Sequence, residues 1–99
     1  MAISDERFRL LNLRNVSRAP RKRGVYALYA GRYLLYLGMA GGGEDTIRSR
    51  LRTHLGEQAH GATRYKRETS REPQARLQEL LDEHVARYGD LPAQNVGAS

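Results

Sequence analysis

Gly24-Val25-Tyr26-Ala27-Leu28-Tyr29-Ala30-Gly31-Arg32-Tyr33-Leu34-Leu35-Tyr36-Leu37-Gly38 decides how this chain folds. Residues 24–29 and 33–38 are rich in strand formers, and Ala30-Gly31-Arg32 between them suits a tight connection. The pattern predicts a β-hairpin. Both runs are apolar on both faces, so the hairpin should be covered on one face and nearly covered on the other. Its tyrosines carry hydroxyls that need partners where they are buried.

Downstream, Gly41-Gly42-Gly43 interrupts regular structure and reads as a flexible connection. Glu44, Asp45 and Thr46 supply N-cap chemistry and negative charge for a helix start. Ile47, Leu51 and Leu55 then recur every four residues, which predicts an amphipathic helix over about 45–56. Residues 62–69 alternate weakly and read as a third strand. Pro73 suits the first turn of a second helix. Its stripe is Leu77, Leu80, Leu81, His84, Val85 and Tyr88, with His84 expected in the core, and Gly89 ends it. Upstream, residues 7–16 mix apolar side chains with arginine and fit a short helix or strand closing the core. Residues 18–23 form a basic loop broken by Pro20. The expectation is an α+β fold: a small antiparallel sheet of three strands flanked by helices. At roughly 100–200 residues per domain, residues 1–99 make one domain, its core spanning about 22–96.

The 17 Lys and Arg exceed the 11 Asp and Glu by 6, and 15 of the 17 are arginine. Arginine offers a planar fork of donors that matches phosphate, so the excess points to a polyanion, nucleic acid above all. The chain has no cysteine, which excludes disulfides, thiolate metal sites and a cysteine nucleophile. No apolar run is long enough to span a membrane, and the first residues lack the basic flank and apolar run of a secretory signal. The sequence reads as soluble, intracellular and cytoplasmic.

On a helix of about 100° per residue, Arg50 and His54 stand one turn apart on the same flank of the Ile47-Leu51-Leu55 stripe. Glu83 borders the second stripe beside Leu80, with Glu79 further out and Asp82 on the opposite flank. Rim positions suit groups held by packing yet open to a substrate. Taken singly, each has an ordinary structural explanation: tyrosines fill hairpin cores, and helix Arg and Glu are commonly solvated.

In combination they resemble the GIY-YIG nucleases. Gly24-Val25-Tyr26 and Tyr36-Leu37-Gly38 look like the paired signature, with Val25 and Leu37 as mild variations. Arg50-Leu51 followed by His54 is similar to the family's Arg-Leu-x-x-His. Glu83 stands where the family has its acidic metal ligand, and Pro92-x-x-Asn95 follows at family spacing. Met39, at a position often occupied by lysine, and the longer glycine connection depart from the pattern. The resemblance implies an endonuclease that hydrolyses DNA phosphodiester bonds with low sequence specificity, in repair, recombination or restriction. It implies one Mg²⁺ or Mn²⁺ held by Glu83. Tyr26 would be the general base, with His54 removing or relaying its proton. Arg50 would stabilise phosphorane charge, and Tyr36 would bond the water or phosphate. Asn95 would orient a phosphate or tie the C-terminal segment to the site. Gly38, Arg48, Arg52, Arg64 and Lys66 are the expected substrate contacts, and His60 is a weaker candidate. One active site cuts one strand, so cutting both calls for a homodimer or a partner protein. The rival readings are a module that binds nucleic acid without cutting it and one that positions a partner.

Overall fold

A computed structural model describes residues 7–56 and 61–95, so His60 lies outside the described residues. The hairpin forms as its sequence demands: β2 (Gly24–Ala30) and β3 (Tyr33–Ala40) pair antiparallel around Gly31, whose φ of 61° needs glycine. On its other side β2 pairs antiparallel with β4 (Arg64–Thr69), the expected third strand. A fourth strand, β1 (Arg9–Leu10), adds to β4, giving the order β1-β4-β2-β3. The three-strand expectation is therefore corrected to four. The N-terminal stretch supplies both options read from it: β1, then α1 (Leu13–Ser17), capped by Asn12 accepting from the Asn15 N–H at 2.9 Å.

Side chains alternate across the sheet and so build two cores. Tyr26, Leu28 and Tyr65 meet Val16 of α1 and Ile47 and Leu51 of α2 (Ile47–Gly56) on one face. Val25, Ala27, Tyr29 and Leu37 meet Leu77, Leu80 and Leu81 of α3 (Pro73–Tyr88) on the other. Fully burying a side chain such as Leu51 contributes about 1.5–3 kcal/mol. Both sheet faces are covered because both faces of the hairpin are apolar.

Three local expectations change. α2 starts at Ile47, because Thr46 closes its N-terminus from outside: the Thr46 hydroxyl accepts from the Ser49 N–H at 3.1 Å, and the Ser49 hydroxyl accepts from the Thr46 N–H at 2.9 Å. The glycine connection is an ordered turn: Gly42 N–H donates to the Asp45 carbonyl at 2.8 Å and Asp45 N–H returns to Gly42 at 3.1 Å. Finally, His84 is not a core residue. It is half-buried and donates from Nδ1 to the Asp90 carbonyl at 2.6 Å, while Val85 and Tyr88 are exposed. The last turns of α3 stand off the sheet there, across a cavity of about 890 Å³ between Tyr29, Leu34 and Tyr88. Gly89, in the left-handed region, ends α3 as expected. Among the described residues no helix is long and apolar enough to cross a membrane.

Candidate active site

Tyr26 lies on β2 facing α2, and its cross-strand neighbour on β3 is Gly38. A Cβ at Gly38 would stand 2.6 Å from both Cζ and Oη of Tyr26 and 2.7 Å from Cε2 of Tyr36. Gly38 is thus the seat of the Tyr26 ring, buried beneath it. With the ring laid flat there, the Tyr26 hydroxyl reaches Nε2 of His54 on α2 at 2.8 Å. The Tyr36 ring closes the group, its centroid 5.5 Å from that of His54 and 6.2 Å from that of Tyr26. Arg50, one turn before His54, stands at the exposed rim with 51% of its side chain open to solvent.

The electrostatics follow from burial. Desolvation, then the neighbouring Tyr36, push the Tyr26 hydroxyl well above the ordinary tyrosine range; the Arg50 charge pulls the other way but is outweighed. Tyr26 therefore holds its proton at neutral pH, and with His54 in the tautomer that leaves Nε2 bare, the hydroxyl donates to it. Arg50 makes a two-pronged pair with Asp45, Nε to Oδ1 at 2.6 Å and Nη2 to Oδ2 at 3.0 Å. Asp45 Oδ2 also accepts from the Gly41 N–H at 3.0 Å. The Arg50 hydrogen bond holds the Asp45 carboxyl below the usual carboxylate range. Asp45 is the site residue that sequence reading missed. Its signal was an acid five positions before Arg50, read only as helix-start charge.

The other expected residues are placed elsewhere. Asn95 clamps the edge of β3: its Oδ1 accepts from the Leu37 N–H at 2.8 Å and its Nδ2 donates to the Leu37 carbonyl at 3.0 Å. Of the two tasks expected of it, the structure places it for tying down the C-terminal segment. Arg48 is half-buried and donates from Nε to the Ala19 carbonyl at 2.8 Å. Arg52 is exposed on α2. Lys66 and Arg64 sit over the Phe8 ring at 4.3 and 5.7 Å. Lys66 is only 7% exposed, on the α3 face, so its ammonium is not the solvated contact that its sequence context suggested.

Glu83 belongs to α3, across the sheet from Tyr26. It follows Arg76 by seven residues, about two turns, and so shares the flank from which Arg76 pairs with Glu68 of β4 at 2.7 Å. Glu83 also lines the cavity that the end of α3 forms with Leu34 and Leu37 of β3. A hard cation takes oxygen ligands that converge, and among the described residues no three His, Asp or Glu side chains gather. Asp45, the carboxylate beside the tyrosines, has both oxygens engaged. Glu83 is an exposed carboxylate that could hold one hard cation with water in its other positions, and it stands on α3, on the opposite face of the sheet from Tyr26.

No model of a known protein family matches this chain, and no curated protein matches it.

Proposed function

We propose that this chain is a nuclease that hydrolyses DNA phosphodiester bonds at the group formed by Tyr26, Tyr36, Arg50 and His54. The observation that carries the reading is the part-buried 2.8 Å hydrogen bond between Tyr26 and His54 with an arginine one turn away at the rim. A buried hydroxyl wired to an imidazole can pass a proton on, and an exposed guanidinium can meet an anion. In this reading water attacks phosphorus and loses its proton to the Tyr26 oxygen as the Tyr26 proton moves to Nε2 of His54. The bond from phosphorus to the leaving sugar oxygen breaks, and that oxygen takes a proton from solvent. The relay answers the raised Tyr26 pKa: a free tyrosinate is never needed, because proton gain and loss at its oxygen are concerted. Arg50 neutralises charge gathering on the phosphoryl oxygens. For that it must exchange Asp45 for phosphate.

The resemblance adds one Mg²⁺ or Mn²⁺, which when bound would act as a Lewis acid on the phosphate, and names Glu83 as its ligand. Its placement makes Glu83 the least supported of the expected site residues. The decisive experiment incubates the protein with single-stranded, duplex, flapped and branched DNA, with and without each cation. The reading expects cleavage by the native chain and cleavage slower by about 10²–10⁴-fold in His54→Ala. Intact DNA on every substrate would refute it. Glu83→Gln tests the ligand separately: lost cleavage with unchanged DNA binding supports Glu83, whereas full turnover removes it. The placement of Glu83 is also the one observation that favours the rival reading, a module that binds DNA without cutting it.

A further inference from the structure

A second basic site lies beside the first, and it rests on residues outside the group above. Lys22 and Arg23 precede β2, and Arg71 follows β4; together they line a cavity of about 600 Å³ with Thr69, Ser70 and the Gly42-Gly43 turn. The fold builds this cavity rather than leaving it to chance. The Lys22 carbonyl accepts from the Ile47 N–H at 3.0 Å, and the Arg23 carbonyl accepts from the Ser70 N–H at 3.2 Å. The basic pair is thereby pinned to the start of α2 on one side and the exit of β4 on the other. Gly42 and Gly43, at φ of 107° and 67°, turn the loop back over it. A Cβ on Gly42 would touch the Arg23 stem at 3.6 Å, so Arg23 packs along the turn. Among the described residues no acidic side chain lines the cavity. Glu44 and Glu72 neighbour it in sequence and are exposed. Among the described residues none of the three cations is in an ion pair. Three positive charges with no ion pair among the described residues, two hydroxyls and a concave wall suit a phosphate.

Its position says which phosphate. The cavity sits at the Gly24 end of β2, where Gly24 pairs with Ala40 and Thr69. Tyr26 is two residues further along the same strand, roughly 7 Å at about 3.4 Å per residue. Successive charges of one DNA strand advance about 3.4 Å along the duplex axis. We infer that this cavity holds a backbone phosphate one or two nucleotides from the bond presented to Tyr26, fixing the strand's register on the protein. The inference deepens the DNA reading and rests on it.

The test measures binding of a duplex oligonucleotide in chelator over a range of salt, for the native chain and for a Lys22→Ala/Arg71→Ala variant. Both side chains are exposed, and circular dichroism checks the fold. Loss of one phosphate contact should flatten the plot of log affinity against log salt by about one unit. Arg32→Ala/Arg87→Ala removes equal charge away from the cavity and should leave the slope nearly unchanged. A parallel titration follows the amide resonances of residues 22, 23, 42, 43 and 69–71 with inorganic phosphate. Slopes that fall equally in both double variants would overturn the cavity site while leaving DNA binding intact. Amide shifts with phosphate but no DNA binding by the native chain would overturn the backbone assignment and make a free phosphate compound the ligand.

Discussion

Gly38→Ala tests the seat of the Tyr26 ring without assuming any activity. Gly38 is not among the glycines with positive φ, so its backbone accepts alanine and the whole penalty is steric. The added Cβ would lie 2.6 Å from Tyr26 Cζ and Oη and 2.7 Å from Tyr36 Cε2, about 1 Å inside the usual 3.5–4.0 Å carbon contact. Tyr26 is 1% exposed, flanked by Leu28, Ile47 and Leu51, and cannot swing clear without pushing its neighbours. Overpacking of this kind costs about 1–3 kcal/mol. At about 4–8 °C per kcal/mol for a domain of this size, the thermal midpoint should fall by roughly 4–24 °C. The tilt of the ring should also break the 2.8 Å bond to His54, moving the His54 imidazole signals in a nitrogen-correlated spectrum. Calorimetry and that spectrum are the assays. An unchanged midpoint with unchanged His54 signals would refute the argument that glycine is required there for space.

Tyr26→Phe and His54→Ala each remove one end of the relay, so both should slow single-turnover cleavage by about 10²–10⁴-fold with little change in DNA affinity; cleavage near the native rate in either would exclude the relay. Arg50→Ala should slow cleavage by about 10²-fold or more, whereas Arg52→Ala should alter only binding and its salt slope; equal modest losses would make α2 a binding face alone. Asp45 has its pKa lowered in the fold, so its pairing with Arg50 stabilises the protein above the unfolded carboxylate pKa and is lost as pH falls through the lower folded value. Asp45→Asn should therefore flatten acid denaturation slightly, by less than about 1 kcal/mol for so exposed a pair, and a variant as acid-sensitive as the native chain would contradict this. Tyr26, Tyr29 and Tyr65 all have raised pKa values, so folding opposes their ionisation and stability should decline above about pH 10, the unfolded tyrosine value; ultraviolet titration should show these three ionising at higher pH than in the unfolded chain.

The hairpin was legible because its evidence is local: strand formers, a glycine turn and apolar residues at every position permit little else. The α2 and α3 stripes, Pro73 and Gly89 are likewise signals complete within a few residues. For residues 7–16 the sequence left strand and helix both open, because two residues make no period and only the exposed edge of β4 makes Arg9-Leu10 a strand. Lys66 looked solvated because its neighbours in sequence are charged, yet the strand's alternation turns it under Phe8 and Tyr29. Asp45 looked like a cap, since a pairing across the helix entry depends on the angle at which the glycine turn delivers it. Sequence spacing correctly put Arg50 beside His54, a matter of helical pitch. It could not place Glu83 relative to Tyr26, because that depends on which face of the sheet α3 covers. The chain's local chemistry thus determined its elements and their apolar faces, while the packing of those faces decided which polar groups meet: Tyr26 with His54, Arg50 with Asp45, and Glu83 with neither pair.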